Sequence, residues 1–469
     1  MTLLTKTSIS KTKDNYSAMA RKVLISFLGT GPKGNVQKGP KHENREYNFA
    51  RYHFEDGAEF NTSFVADALV SKYGIDDTIL LGTTHSMWER VYEVFSQKAG
   101  VSIDEDYYYD LAEHCDKADS KSDLVIPHPE KVETLLGKDS HIVLLRYGMN
   151  NKEIRENISI VLSLEKYLLD GDDLTIDITH SFRSLPLYIM NLLLYLKNVS
   201  SKKIKISRIC YGMLDASSEF TYTPVISLNG IMDVQDWITG AYNFQEFGNA
   251  YKIAGLLETD SSGNYSIAAK QLRRFADAKN LNQFREFRTG IKDLKPLMDS
   301  QNLPDIAKLL VPTIIEKFAN RFPASLTEYI YQYRMAEWHA NHFNYGYALI
   351  DLVESALSYC CEIVPDSYVP EEFIINGAVR KREAIRTALN YIKKDRGKES
   401  VEKLRSDLGY LMKRNGVQFR IFNDFYDKVN GHRNTIAHDL EKSVKSSQMK
   451  ADLEESLKYF RGVFQPSSK

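Results

Sequence analysis

Short apolar runs and amphipathic stretches alternate through the first half of the chain. Runs rich in β-branched residues predict strands at Val23–Leu28, Tyr47–His53, Ile79–Leu81, Ile142–Tyr147, Leu174–Thr179 and Ile204–Tyr211. Helical spacing predicts helices at Thr62–Lys72, Met87–Gln97, Glu153–Leu169 and Leu185–Leu196. Strands that alternate with helices in this way predict an α/β, Rossmann-like, mainly parallel, doubly wound sheet. After Leu228 the strand pattern stops. Helices are expected at Gln235–Ala250, Ile267–Leu281 and Phe284–Met298, and from Ile306 to Phe464 the pattern reads all-α, as a bundle. Its expected helices include Ile306–Phe318, Leu326–Cys361, Arg380–Lys394, Leu404–Arg414 and Val417–Lys428. The predicted organisation is therefore a leader over 1–20, an α/β domain over 21–228, a helical linker over 229–305 and a helical domain over 306–469.

A doubly wound sheet binds ligands at the carboxyl ends of its strands. Three predicted strand ends carry small or polar groups: Gly29-Thr30-Gly31, Gly82-Thr83-Thr84-His85-Ser86 and Thr179-His180-Ser181-Phe182-Arg183. The loop Tyr147–Asn151 adds the amide of Asn150. Taken singly, each reads as a turn; three at one edge point to a ligand site. The run Asp177–Pro186 is the most informative, because a helix pattern begins directly behind it and its amino end suits an anion. Gly29, Gly31 and Gly34 fit the spacing of a dinucleotide loop, but Pro32 and a polar segment follow where that motif needs an apolar helix. A nicotinamide site is not expected.

Composition narrows the picture. With 61 Lys and Arg against 62 Asp and Glu, no global basic field recruits nucleic acid, so contacts to RNA must be local. Cys115, Cys210, Cys360 and Cys361 lack metal-ligand or disulfide spacing, and the adjacent pair reads as helix packing. No apolar run reaches the roughly 18 residues of a membrane span. The Ser-, Thr- and Lys-rich first 20 residues read as a disordered leader rather than a signal peptide. A soluble, cytoplasmic protein is expected.

Two Arg-x4-His pairs are present, Arg334…His339 and Arg433…His438. The first lies in a continuous helix pattern, where five steps of about 100° turn the two side chains about 140° apart. It reads as surface charge plus packing. The second follows Asn430-Gly431-His432, a turn signal, and is expected at the start of a helix capped by Asn434 or Thr435. There Arg433 could fold back toward His438 while first-turn amides face the same space. A capping arginine beside a half-exposed histidine is the plainer alternative, and Asp439 could orient the histidine or simply favour the helix dipole. Histidine moves protons near neutral pH, and arginine grips phosphoryl oxygens by a forked contact. No acidic cluster with metal-ligand spacing lies nearby, so the expected nucleophile is the substrate's own 2′-hydroxyl. That chemistry selects RNA and leaves a 2′,3′-cyclic phosphate and a 5′-hydroxyl. One histidine per chain supplies either acid or base, so two chains would complete the set.

These residues resemble the CRISPR-associated CARF–HEPN ribonucleases, ancillary effectors of type III CRISPR systems. The likeness lies in Lys22–Gly31, Leu81–Trp88, Tyr147–Asn150, Asp177–Pro186 and Tyr211–Gly212, and continues in Phe220–Leu228, Trp237 and Phe244–Gly248. Arg433-Asn434 and His438 match the HEPN signature, and Trp338–Ser355 resembles the helix before it. Ser181 departs from the glycine usual after Asp-x-Thr-His, which adds a Cβ and a hydroxyl to the pocket. The resemblance implies a CARF dimer that binds cyclic oligoadenylate, with cyclic tetra-adenylate favoured because its repeat can lie across a two-fold axis. It implies sensor contacts from Thr30, the Gly82–Ser86 loop, Thr179, His180, Ser181 and Arg183. It also implies a HEPN dimer that cuts single-stranded RNA without metal, through Arg433, Asn434 and His438, and no other cofactor.

Two other readings stay open. In one, the chain is a non-catalytic sensor whose helical half regulates another molecule through the basic stretch Arg380–Arg396, with a solvated helix face as the plainer account of that stretch. In the other, the sensor slowly cleaves its own ligand with His180 and Thr179.

Overall fold

The computed structural model describes residues 20–31, 49–180, 184–299, 303–391, 399–438 and 445–465. The expected leader, apart from Ala20, lies outside them. Two compact units divide the chain, Met1–Met232 and Asp233–Lys469.

The first unit is built on an eight-stranded sheet. Its strands are β1 (Lys22–Leu28), β2 (Ala50–Phe54), β3 (Glu59–Thr62), β4 (Asp77–Gly82), β5 (His141–Leu144), β6 (Asp173–Asp177), β7 (Lys205–Gly212) and β8 (Thr223–Ser227), in spatial order β3-β2-β8-β7-β6-β1-β4-β5. β7, β6, β1, β4 and β5 run parallel, so the Rossmann-like core expected from the alternating pattern is present. β3 and β8 add antiparallel pairings that the sequence pattern did not suggest. β3 is a short, largely exposed edge reached through an Asp56-Gly57 turn, and β8 carries Pro224. Both depart from the apolar alternation that marks a strand.

β1 is apolar on both faces because helices cover both faces. Val23, Ile25 and Phe27 pack with α5 (Asn151–Leu162) and α6 (Leu185–Asn198). Leu24 meets α1 (Val65–Tyr73), and Leu28 meets α2 (Trp88–Ala99), α3 (Glu105–Lys117) and α4 (Pro129–Leu136). At the amino ends of the strands Arg21 ties three of them together. Its guanidinium donates to Asp172 at 2.6 and 3.1 Å, to Asp77 at 3.2 Å and to the Tyr167 carbonyl at 2.9 Å. From β1 the chain first runs to β2 and β3 at the far edge, returns to β4 and β5 on one side of β1, then crosses to β6, β7 and β8 on the other. The switch therefore falls between β1 and β6, whose carboxyl ends open the crevice where such sheets take ligands.

The second unit is helical, apart from the short pair β9 (Ile374–Ile375) and β10 (Ala378–Val379). α7 (Gly230–Phe247), α8 (Tyr251–Thr259), α9 (Ser266–Asn280), α10 (Phe284–Leu294) and α11 (Asp305–Arg321) close on α12 (Glu328–Asn341) around Phe244, Phe275, Phe287, Phe318 and Phe322. The other face of α12 joins α13 (Tyr345–Ile363), α14 (Lys381–Leu389), α15 (Glu399–Arg414), α16 (Phe419–His438) and α17 (Ser446–Phe464) in a second core. α12 serves both: Tyr331, Met335 and Trp338 enter the first core, and Tyr333 and Ala336 the second.

Two expectations fail here. The single helix foreseen over Leu326–Cys361 is two, broken at His342–Asn344, with Phe343 in the left-handed region at φ +61°. The turn foreseen at Asn430–His432 is helix: α16 runs unbroken to His438, so Asn434 and Thr435 cap nothing. Thr435 instead bonds back to the Gly431 carbonyl at 2.9 Å. A glycine inside a helix costs about 1 kcal/mol, less than the burial of Phe422, Tyr426 and Val429 on the same helix returns.

Candidate functional site

At the carboxyl edge of the sheet, β6, β1 and β4 lie side by side and bring together Gly29–Gly31, Gly82–Ser86 and Thr179–His180. Several of the polar groups there are already engaged. Ser86 is fully buried; its hydroxyl donates to the Leu28 carbonyl at 2.8 Å and accepts from the Thr83 amide at 2.9 Å, stapling the β4 loop to β1. Thr83 is buried with it, and Met87 donates to Gly29 at 3.2 Å. His85 is held through Nδ1 by the Cys115 carbonyl at 2.7 Å. Gly31 sits at φ +70°, and a Cβ there would come within 2.3 Å of Met87 Sδ.

Asp177 organises the β6 end. The Ser26 hydroxyl donates to one of its oxygens at 2.5 Å; the Thr179 amide and hydroxyl donate to the other at 2.9 and 2.6 Å. Thr179 Oγ1 in turn accepts from the Gly212 amide at 2.8 Å. Burial pushes the Asp177 carboxyl up, against the pull of the Ser26 and Thr179 hydrogen bonds. Asp177 and Thr179 thus knit β1, β6 and β7 together, and His180 is the group this scaffold presents.

His180 stands half-buried, with Tyr52 Oη 3.5 Å from its Nε2 and the Phe64 ring edge-on at 6.4 Å. Desolvation lowers its pKa to about 4, so near pH 7 the ring is neutral, with one donor and one acceptor nitrogen. It brings hydrogen-bonding capacity rather than charge. Tyr52 reaches it past Gly212, where a Cβ would stand 3.3 Å from the tyrosine ring. Ser26 and Tyr52 went unsuspected in the sequence, because their contacts depend on strand order. Asn150 has a structural task. It is the N-cap of α5, accepting from the Lys152 and Glu153 amides at 3.0 Å each, while Glu153 reaches back to the Gly148 and Met149 amides. Ser181 and Arg183 lie outside the described residues.

In the helical unit, Arg433 borders a groove of about 500 Å³ between the end of α16 and the start of α13. Phe343, Tyr345, Tyr347 and Ile350 line it from one side, and Ile436 and Ala437 from the other. Asn344 is the N-cap of α13 but makes no side-chain cap bond, so first-turn amides are left for another acceptor. The amides once expected from Arg433's own helix therefore come from a different one. Arg433 Nη1 donates to Asn434 Oδ1 at 2.9 Å, which joins two of the three predicted residues. His438 is exposed as the last residue of α16, and Asp439 lies outside the described residues. On one continuous helix Arg433 and His438 project about 140° apart, so they do not share a face within one chain.

The other pair behaves as its helix pattern suggested. Arg334 caps the Arg321 carbonyl at 3.0 Å, while His339 is fully buried with its Nε2 3.6 Å from Asp351 Oδ2, too far for a hydrogen bond. Desolvation lowers the His339 pKa to about 3 and pushes the Asp351 carboxyl up to about 8, so both are neutral near pH 7. The described cations of the basic stretch are paired. Arg382 and Arg386 both pair with Glu354, Lys381 with Asp366 at 2.9 Å, and Lys393 and Lys394 lie outside the described residues. Among the described residues, no group of three His, Cys, Asp or Glu side chains is placed to hold a metal ion, and no helix is long and apolar enough to cross a membrane.

Comparison with known proteins agrees with this division. The family model for the CARF domain of the CRISPR system endoribonuclease Csx1 matches residues 23–215, and that for the second domain of the CRISPR-associated protein MJ1674 matches residues 233–326. MJ1674 itself, from Methanocaldococcus jannaschii, is 30% identical over 454 residues, spanning 90% of this chain and 67% of that protein. The chain belongs to this family of CRISPR-associated CARF proteins. In CARF terms, the crevice between β1 and β6 lies in the matched sensor domain, and the MJ1674-type second domain corresponds to α7–α11 and the turn after them. Among solved structures, Enterococcus italicus Csm6 bound to cyclic hexa-2′-fluoro-hexa-dAMP aligns over 96% of this chain and 95% of that one, at 12% identity and a TM-score of 0.31. That likeness is too loose to bear on fold or site.

Proposed function

We propose that this CARF protein is a cyclic oligoadenylate-activated endoribonuclease that cuts single-stranded RNA without a metal ion. The observation that carries the reading is Arg433 on a groove beside the uncapped amino end of α13, with His438 exposed at the end of the same helix. A guanidinium and backbone amides hold phosphoryl oxygens, and an exposed imidazole exchanges protons with water and substrate. A base removes the proton of the 2′-hydroxyl, the 2′-oxygen bonds to the adjacent phosphorus, and the bond to the 5′-oxygen breaks. An acid returns a proton to that oxygen, leaving a 2′,3′-cyclic phosphate and a 5′-hydroxyl. Arg433, steadied by Asn434, stabilises the charge that develops on the non-bridging oxygens. Because Arg433 and His438 diverge on one helix, the complete set is assembled from two chains.

In the sensor, the β1–β6 crevice takes the cyclic ligand, with neutral His180 bonding base or ribose and the Gly29–Gly31 backbone near its phosphates. Cyclic tetra-adenylate is the favoured ring. Pairing of Arg382 and Arg386 with Glu354 weakens the rival reading, in which that basic stretch serves a non-catalytic regulator.

The deciding experiment is RNA cleavage in EDTA with cyclic tri-, tetra- and hexa-adenylate compared as activators. Wild type should cut with one of them, and His438→Ala should abolish cutting while ligand affinity is kept. Cleavage that persists in His438→Ala removes the catalytic assignment.

A further inference from the structure

The groove beside Arg433 holds one side chain that its own fold does not use. Phe343 is 76% exposed and sits in the break between α12 and α13 at φ +61°, where glycine or asparagine would be comfortable. Its ring neither fills a core nor closes the groove. It stands edge-on to Tyr345 at 6.4 Å, and Lys450 Nζ lies 4.8 Å from the centre of the Tyr345 ring. The groove thus joins flat apolar rings to the cation Arg433, with a second cation, Lys450, held against the ring of Tyr345. A ligand that matches both must carry a planar ring system and a negative charge, and a nucleotide of a single strand does. At about 500 Å³ the groove is within the range that binds such groups.

We infer that Phe343 is a substrate-binding residue that stacks on a base next to the scissile phosphate, while Arg433 holds that phosphate. This rests on the ribonuclease reading for which phosphate is cut, but the stacking itself is measurable without cleavage. An aromatic platform accepts any base, since every base has a π-face, so the contact sets affinity and register more than sequence preference.

The test uses the full chain carrying His438→Ala, to prevent turnover, and a short single-stranded RNA with one 2-aminopurine. Binding should quench the 2-aminopurine, and adding Phe343→Ala should abolish the quench and weaken RNA affinity roughly 5-fold or more. Phe343→Trp should restore both, whereas Phe343→Leu, which keeps bulk without a π-face, should not. In the otherwise wild-type chain, Phe343→Ala should raise KM for RNA with kcat nearly unchanged, and leave cyclic oligoadenylate affinity unchanged. Unaltered RNA affinity and quench in Phe343→Ala overturn the inference. So does loss of the dimer by light scattering, which would assign the ring to a second copy of the chain. A wild-type chain that binds and quenches the RNA yet never cuts it would instead refute the ribonuclease reading.

Discussion

At the scale of single residues, Asp177 and Thr179 show how a sequence motif divides its labour. Both were visible as a polar cluster at a strand end, but only strand order shows that they also bond to Ser26 and Gly212. Thr179→Val should therefore cost about 1–3 kcal/mol in urea unfolding, since it leaves the Gly212 amide without its acceptor and the buried Asp177 oxygen with only the Thr179 amide as donor. His180 is different. With its pKa lowered to about 4 by burial, it stays neutral from pH 5.5 to 8, so if it contacts the proposed cyclic oligoadenylate, affinity should be flat across that range. A histidine acting as a cation would instead lose affinity as pH rises past about 6.5. Calorimetric titration at several pH values separates the two. The capping role of Asn150 was also hidden, because a strand-end amide and an N-cap look alike until the Lys152 and Glu153 amides are seen to donate to it.

Among the elements, α16 is the most instructive. Asn430-Gly431-His432 has the composition of a turn, yet packing of Phe422, Tyr426 and Val429 carries the helix through it. His432 Nε2 reaches Asp452 at 2.8 Å and Lys428 reaches Glu455 at 2.7 Å, fastening α16 to α17 from the far side. Asp452 is held low despite the cost of its partial burial, by hydrogen bonds from His432 and Gln448 and by the charge of Lys428. Gly431→Ala gives a clear sign. In a helix, with no atom within 4 Å of the added Cβ, it should stabilise by up to about 1 kcal/mol; in a left-handed turn it would destabilise. Thermal unfolding decides. The break between α12 and α13 escaped the sequence for the opposite reason. His342-Phe343-Asn344 holds neither glycine nor proline, and apolar spacing runs on across it.

For the whole molecule, alternation of strands and helices made the sheet and the all-helical second half legible, since period 2 and period 3.6 reflect burial directly. What one sequence leaves open is which helices share a core, because that depends on contacts far apart in the chain. α12 packing into two cores is of this kind, and so is the Arg21 clamp. Arg21→Ala would leave Asp172 and Asp77, both buried, without their cation, and should destabilise by about 3–5 kcal/mol in denaturant unfolding.

The His339–Asp351 contact adds a pH signature. Asp351 keeps its proton in the fold until about pH 8, whereas in the unfolded chain it releases it near pH 4. The folded state then binds the extra proton, so this group's contribution to stability falls as pH rises from about 4 to about 8. His339, lowered to about 3, works the other way, costing stability as pH falls below about 6.5. Of these two groups, only Asp351 acts between about pH 6.5 and 8. There Asp351→Asn, which can still accept from Asn282, should flatten the decline seen in wild type, as measured by urea unfolding at each pH.

The divergence of Arg433 and His438 around α16 has a consequence for mixtures of damaged chains. If one centre needs the imidazoles of both subunits, one as base and one as acid, then His438→Ala chains that exchange partners with intact ones form hybrids holding a single imidazole, and cutting falls below the share expected from dilution alone. A centre built within a single polypeptide would lose activity only in proportion to the damaged chains added.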